Sequence, residues 1–495
     1  MGGKLRKTRP DPGARCAGKP EGVDKMRHYE TKVQELKNNI LREVAALTWS
    51  GELEQGALDI PEKIVPGPEP HTRCCIYKER AIVGERVKLA MGGWRAADGT
   101  VAVLPIACDE CPVTEMSVGD ACRGCLATRC VQSCPRDAIR IVNHKAEIDH
   151  KKCIMCGRCL SVCPYGAISK NLRPCERGCP VSAIHMDAQR KAEIDYEKCI
   201  SCGNCAYQCP FGAIMDRSYM VNVIRMLLGA AEGGYHVWAA VAPSVAGQFP
   251  DTSFGQLAAA MKVLGFYDVF PVAYGADLTA QEESVELAEK GRLASSCCPA
   301  FVEYVEKNFP ELAEKLISGT PSPMVMAARD IRRRDSAARV VFIGPCVAKK
   351  REFRLEKTGG AVDSVLSFEE LNAMFEARGV EPKELEEAEL TPGSVYGWRF
   401  AASGGVAGAV AQALKEKEID FDLKPLPCSG IEACRTALFK AGKGVLDANF
   451  IEGMACEGGC IMGPLNLVRA PQNKMRLEKQ AALTQDLRIT DSGAV

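Results

Sequence analysis

Residues 145–168 read KAEIDHKKCIMCGRCLSVCPYGAI, and residues 191–214 read KAEIDYEKCISCGNCAYQCPFGAI. The second stretch repeats the first 46 positions on, and the four cysteines of each superpose. A repeat this close in so short a span marks a duplicated module. Each copy follows C-x2-C-x2-C-x3-C-P: Cys153, Cys156, Cys159 and Cys163 before Pro164, then Cys199, Cys202, Cys205 and Cys209 before Pro210. A near variant with C-x4-C in the middle precedes them, formed by Cys122, Cys125, Cys130 and Cys134 before Pro135. Thiolates three residues apart can face one inorganic centre, so these sulfurs read as ligands rather than disulfide partners.

The run C-x2-C-x2-C-x3-C-P is the spacing of bacterial [4Fe–4S] centres, whose fourth cysteine ligates the neighbouring cluster. Four thiolates also suit zinc, but zinc needs neither the Cys-Pro at the fourth position nor the pairing. Crossing the fourth ligands assigns Cys122, Cys125, Cys130 and Cys163 to one cluster and Cys153, Cys156, Cys159 and Cys134 to a second. Cys179 before Pro180 stands in the second copy where Cys134 stands in the first, so it joins Cys199, Cys202 and Cys205 in a third. Cys175 and Cys209 are left over, and with the unused C-x2-C pair Cys108 and Cys111 they make a possible fourth set. On the other reading, Cys108 and Cys111 are buried thiols or bind something together with Cys74 and Cys75. Three to four accessory [4Fe–4S] clusters are therefore expected. The span 108–216 holds 16 of the 26 cysteines with only short elements between them, so bound clusters must supply much of its folding energy.

The rest of the composition is ordinary. A length of 495 residues suggests two to four domains, and 46% hydrophobic with 25% charged residues is normal for a globular chain. The 63 basic residues balance 63 acidic ones, which leaves no footprint for nucleic acid or an anionic membrane surface. The first residues are basic with no apolar run behind them, and no long apolar run occurs later, so a reducing, cytoplasmic location is expected. Residues 28–47 have helical periodicity, Pro66, Gly67, Pro68 and Pro70 read as a linker, and 101–106 as a short strand. We expect a helical and linker segment over 1–100, [4Fe–4S] modules over 101–168 and 169–216, an α/β domain over 217–470 and a polar tail over 471–495. Within the α/β part, 237–242, 269–274 and 340–343 read as strands and 253–264, 284–290, 367–377 and 405–417 as helices, with Ser367 and Glu370 as a capping box. No G-x-G-x-x-G opens a helix after a strand, so no flavin or nicotinamide fold is evident and the electron partner is expected to be another protein.

Three further cysteine motifs lie far apart in the α/β stretch: 295–301 SSCCPAF, 344–352 GPCVAKKRE and 452–464 EGMACEGGCIMGP. Each follows or interrupts an α/β element, which suggests one site assembled from loops, and the glycines around Cys456 and Cys460 allow close backbone approach to a bulky inorganic group. In order and content they resemble the three signature motifs of the iron-only, [FeFe]-type hydrogenases. The variants SCCPAF, GPC-x2-KK and GMAC-x3-C are similar to those of a monomeric subgroup. The resemblance covers the cluster region and nearly all of 217–470. It implies a two-lobed α/β catalytic domain preceded by a duplicated α+β bacterial ferredoxin-like region. It implies the reaction H2 = 2 H+ + 2 e−, a ferredoxin or similar carrier as partner, and dedicated maturase proteins. The cofactor it implies is the H-cluster, a [4Fe–4S] cube joined through one cysteine to a diiron unit carrying CO, cyanide and azadithiolate ligands.

Carried over residue by residue, the resemblance makes Cys298, Cys346, Cys456 and Cys460 ligands of the cube, with Cys460 bridging to the diiron unit. Cys297 is then the free thiol that relays a proton, Lys349 a donor to a cyanide, Ala242, Pro243 and Ser244 a lining loop, and Met454 a lining methionine. Glu283 and Glu286 match the proton-path glutamates and can share a helix face. The hydroxyl of that path should come near 317, where Ile317 stands with Ser318 next to it. Gly344 replaces a methionine usual in the second motif, and the third ends in CIMGP where glycines are usual. Cys428 and Cys434, in CSGIEAC, read as a buried thiol pair, and Cys16, Cys74 and Cys75 have no assigned role. Two other functions are weighed against the enzyme. A hydrogen or redox sensor should carry an output domain. An iron–sulfur assembly scaffold should lack the adjacent thiol or Lys349.

Overall fold

The computed structural model describes residues 29–93, 99–109, 111, 115–390, 393–484 and 486–492; Cys16 lies outside them. Two parallel sheets organise the α/β part. In the first, His236–Val241 and Ala338–Ile343 lie side by side, flanked by Asp268–Pro271 and Ser364–Leu366. Nine of the twelve residues in their runs HVWAAV and ARVVFI are buried, as expected of parallel strands covered on both faces. In the second, Phe450–Met454 runs between Leu293–Ala294 and Pro425–Ser429. Ligands of parallel sheets bind beyond the carboxyl ends of the strands. Here Ala242, Ser295, Gly344 and Ala455 follow directly on four of those ends, so the lining loop and all three cysteine motifs sit where such a fold builds a site.

Capping boxes start two of the surrounding helices: Ser253 with Gln256 at Phe254–Leu264, and Ser367 with Glu370 at Phe368–Arg378. The strand read over 269–274 stops at Pro271, and a 19-residue helix, Val272–Lys290, begins there; 284–290 is only its last part. Proline offers no N–H to extend the ladder, and its fixed φ suits a helix start. The polar tail is also structured. Gln472–Ala482 is a helix that buries Leu477 and Ala481, and its buried Asn473 donates to the Ile461 and Val468 carbonyls.

The cysteine-rich part is built of short antiparallel pairs: Glu115–Val118 with Ile168–Asn171, Ile139–Val142 with Lys145–Ile148, Ile184–Met186 with Ala192–Ile194, and Val101–Val103 with Ile214–Asp216. One-turn helices Arg129–Gln132, Arg158–Val162, Pro174–Arg177 and Asn204–Gln208 alternate with them. The periodic segment near the start forms helix Lys32–Ser50, capped by Thr31, and its Asn38 donates to Glu376 at 2.6 Å. A helix that periodicity does not reveal, Ile76–Ala90, buries Glu79 and Arg86 on its inner face. Glu79 accepts from the His71 and Thr72 N–H groups, and Arg86 donates to the Phe211 and Gly212 carbonyls. A buried charge network joins the parts. Lys350 donates to Asp216 at 2.8 Å and Glu370 at 2.7 Å, and Asp216 also accepts from Lys37 at 2.6 Å. Among the described residues no helix is long and apolar enough to cross a membrane.

Candidate functional site

A cavity of about 90 Å³ opens at the strand ends, lined by Cys297, Cys298, Cys346, Cys456 and Cys460 together with Lys349, Ala242, Pro243, Ser244 and Met454. All the residues that the sequence assigns to the walls of one cofactor thus meet in one space. Val272, Ala276, Met324, Phe342 and Phe400 add apolar surface to it. Cys297 and Cys298 lie on the turn between Leu293–Ala294 and helix Pro299–Asn308. Cys460 opens the short turn Cys460–Met462. Two glycines have packing reasons. At Gly459, with φ of 93°, a Cβ would stand 2.6 Å from the Ala401 carbonyl oxygen, so the close approach there is to another loop of the chain. At Gly344 a Cβ would meet the Phe342 ring at 2.7 Å and the Ala242 side chain at 3.0 Å, so Phe342 fills the room a methionine would need.

The donor set fits an iron–sulfur group with polar ligands. Burial pushes the Cys346 and Cys460 thiols up, to about 11 and about 12. Such sulfurs become thiolates when a cationic centre takes them. Ser244 Oγ is buried with no hydrogen-bond partner. Lys349 gives one N–H to Ser322 Oγ at 2.8 Å and one to Glu352 at 2.6 Å, which leaves the third donor of its ammonium unspent on these two.

Beside the cavity stands a row of exchangeable groups. Glu283 is fully buried; its Oε1 accepts from the Ser296 N–H at 3.1 Å and its Oε2 has no partner. Burial, aided by Glu286, pushes its carboxyl up to about 7. One turn on, Glu286 accepts from the Ser318 hydroxyl at 2.5 Å and the Gly319 N–H at 2.9 Å, and pairs with the partly exposed Lys290 at 2.6 Å. Burial alone would raise the Glu286 carboxyl, but Gly319, Lys290 and Ser318 outweigh it and hold the group below the usual range. Two hydroxyls thus reach Glu286, Ser318 at 2.5 Å and Thr320 at 3.3 Å, while Ile317 bridges to Ala294 through its backbone. Ser296 is a site residue that sequence reasoning missed. Its hydroxyl lies 2.5 Å from the Thr320 carbonyl and 3.4 Å from Glu283 Oε1, and its only sequence signal is adjacency to Cys297.

The remaining cysteines gather as the crossed rule expects. Cys122, Cys125, Cys130 and Cys163 line one cavity, and Cys134, Cys153, Cys156 and Cys159 another. Cys108 and Cys111 share a third with Cys175 and Cys209 rather than with Cys74 and Cys75. Cys179, Cys199, Cys202 and Cys205 stand close enough to act on one another's charge, and Cys202 also lines the cavity of the three motifs. Two backbone N–H groups donate to sulfur in each set: Ala146 to Cys122 and Ala167 to Cys163, Ala138 to Cys134 and Met155 to Cys153, Ala183 to Cys179 and Ser201 to Cys199, and Ala213 to Cys209 and Ala192 to Cys108, at 3.2–3.4 Å. Such bonds steady thiolates and tune cluster potentials. Among the described residues no three His, Cys, Asp or Glu side chains converge to hold a single metal ion; the sulfurs ring cavities instead. Cys428 and Cys434 are a buried pair, Cys434 donating to the Cys428 and Met454 carbonyls at 3.8 Å.

Residues 235–464 match the family described as iron only hydrogenase large subunit, C-terminal domain. Residues 121–167 match a 4Fe-4S dicluster domain and 192–215 a 4Fe-4S binding domain. Iron hydrogenase 1 of Clostridium pasteurianum is 29% identical over 387 residues, 66% of this chain and 66% of that protein. The NADP-reducing hydrogenase subunit HndD of Solidesulfovibrio fructosivorans is 27% identical over 405 residues, 67% of each. The periplasmic [Fe] hydrogenase large subunit of Nitratidesulfovibrio vulgaris is 30% identical over 383 residues, 65% of this chain and 86% of that protein. The chain therefore spans about two thirds of the first two relatives and most of the third. With the three motifs gathered in one cavity and this likeness running through them, the chain belongs to the iron-only, or [FeFe], hydrogenase family.

Proposed function

We propose that the chain is an [FeFe]-hydrogenase of the monomeric SCCPAF subgroup that catalyses H2 = 2 H+ + 2 e−, passing electrons through four [4Fe–4S] clusters to or from a ferredoxin-like carrier in the cytoplasm. The observation that carries this reading is the meeting of four candidate ligands, Cys298, Cys346, Cys456 and Cys460, with a fifth thiol, Cys297, and with Lys349 in one cavity. The four would hold the cube of the H-cluster, with Cys460 as the bridge. When bound, that cofactor supplies the redox and acid–base chemistry that splits or forms H2. The protein does the rest. Lys349, pinned by Ser322 and Glu352, keeps an N–H for a cyanide, and Ser244 Oγ offers a second. A charge-assisted donor in a dry cavity holds an otherwise unattached group strongly.

Protons take the other side. Cys297 carries the proton at the cavity wall, and Ser296, Glu283, Ser318 and Glu286 lead it to Lys290 and solvent. The Ser296 hydroxyl spends its hydrogen on the Thr320 carbonyl, so its lone pairs are open to a protonated Glu283. A carboxyl near pKa 7 takes up and releases protons with little driving force at neutral pH, which is what a relay needs.

Electrons take the modules 101–168 and 169–216, attached to the catalytic domain 217–470. Cys202 supports this order, because it belongs to the third cluster set and also borders the H-cluster cavity. Fully matured protein is expected to contain about 22 iron atoms, from four [4Fe–4S] clusters and one six-iron cofactor. Iron analysis giving about 18 would remove the Cys108, Cys111, Cys175 and Cys209 cluster and leave the rest.

Protein made without the dedicated maturases is expected to bind [4Fe–4S] clusters and to show no infrared bands of CO or cyanide. Co-production with the maturases should bring those bands in. Bands without maturases, or none with them, would contradict the cofactor assignment.

A further inference from the structure

The duplication lets one copy serve as the control for the other. At equivalent positions 46 residues apart, Ile200 is 1% exposed and Ile154 is 59% exposed. Ile200 packs with Ala300, Phe301 and Ala348 of the catalytic part. Its neighbour Gly203 is covered too: a Cβ there would meet Val347 at 2.4 Å and Pro464 at 3.0 Å, whereas the equivalent Gly157 has nothing within 4 Å. Lys307 closes the second copy's contact by donating to the Cys199 carbonyl at 2.6 Å. Between these residues lies Cys202, which borders the catalytic cavity, and its counterpart Cys156 is exposed. The face that joins a cluster to a redox partner in the second copy is thus present and bare in the first.

The side chains around the two faces differ in a way that names the partner. Lys151 and Arg158 stand in the first copy where Glu197 and Asn204 stand in the second, and Arg136 stands where Ser182 does. Arg136, Lys151, Lys152 and Arg158 are exposed and, among the described residues, none of them makes an ion pair, while Asp137 and Asp149 are the acidic side chains on the same loops. An apolar centre within a basic rim fits an acidic protein and steers its approach.

We propose that the face formed by Ile154, Cys156 and Gly157, with its rim of Lys151, Arg158 and Arg136, docks an acidic one-electron carrier protein and passes electrons between it and the cluster of Cys134, Cys153, Cys156 and Cys159. The proposal rests on the reading that those four cysteines hold a [4Fe–4S] cluster. In each encounter toward H2 formation the carrier's centre is oxidised by one electron, that cluster is reduced by one, and no proton moves; uptake runs in reverse.

The test uses the matured holoprotein and a bacterial 2[4Fe–4S] ferredoxin of net negative charge. Stopped-flow bleaching of the iron–sulfur absorbance reads cluster reduction, and gas analysis reads H2. The double variant K151E/R158E is expected to slow reduction by ferredoxin about tenfold or more at low salt and to flatten its decline with ionic strength, with reduction by methyl viologen unchanged. Ile154→Ser should slow ferredoxin several-fold and keep the salt slope, because it removes contact rather than charge. Unchanged ferredoxin kinetics in both variants would overturn the docking face. If the wild type makes no H2 but ferredoxin still reduces its clusters quickly, and those of K151E/R158E slowly, the docking face stands and the hydrogenase reading falls.

Discussion

Glu283→Gln is expected to lower H2 turnover by roughly 10²–10⁴-fold, the usual worth of positioned proton transfer, with iron content and the CO and cyanide bands unchanged. The amide oxygen can still accept from the Ser296 N–H, as Glu283 Oε1 does at 3.1 Å, so the turn before Cys297 keeps its anchor. What is lost is a carboxyl that exchanges a proton near neutral pH. If Glu283 served only to anchor that turn, the glutamine variant would turn over H2 nearly as well as the wild type. Stability offers a second readout. Burial raises the Glu283 carboxyl from 4.5 to about 7, so the folded chain holds the proton more tightly than the unfolded one. The native state therefore loses stability as pH rises from about 4.5 through about 7. That contribution to the slope should vanish in the glutamine variant, as seen in chemical denaturation across this range.

The repeat and the spacing of its cysteines made the cluster region readable, because ligand geometry is local: the residues that must face one centre lie within a few positions of each other. The crossed fourth ligands follow from the same local rule, and Cys163, Cys134 and Cys209 each line a cavity with the other cysteines of their proposed sets. Capping boxes at Ser253 and Ser367 and the apolar runs of the central strands marked the α/β part equally well. Legibility ended where burial is achieved by polar groups. Helix Ile76–Ala90 hides Glu79 and Arg86 by satisfying them with backbone partners, and Gln472–Ala482 does so with Asn473, so both look more polar than they are. At the site, the ligand candidates were legible as motifs, whereas Ser296 was not. Its place depends on helix Val272–Lys290 lying against the Ser295–Cys298 turn, a tertiary contact that no spacing records. Ser318, next to Ile317, was the hydroxyl expected from sequence and donates to Glu286, whereas the second hydroxyl on that carboxylate, Thr320, has no signal in the motifs.

Cys297→Ala is expected to cost as much as the loss of Glu283, again roughly 10²–10⁴ in turnover, while the protein keeps its iron and its CO and cyanide bands. Cys297 and Cys298 are neighbours in sequence and border one cavity, yet their proposed work differs. On the proposed reading Cys298 is a ligand, so its removal should cost the cube and loosen the turn that starts helix Pro299–Asn308. Cys297 is on that reading the proton carrier, and burial and the Glu283 charge both hold its proton on. Cys297→Asp should retain more activity than alanine, because a carboxylate still carries a proton. The opposing view makes Cys297 a small buried thiol that only fills space, and on that view alanine is nearly neutral. H2-dependent dye reduction by matured wild type and C297A, compared at equal metal content, decides between them. Turnover in the wild type and its near loss in C297A, with the infrared bands intact, is the expected result. Near-wild-type turnover in C297A would contradict the relay, and a wild type that bears those bands yet turns over no H2 would make the chain a sensor rather than an enzyme.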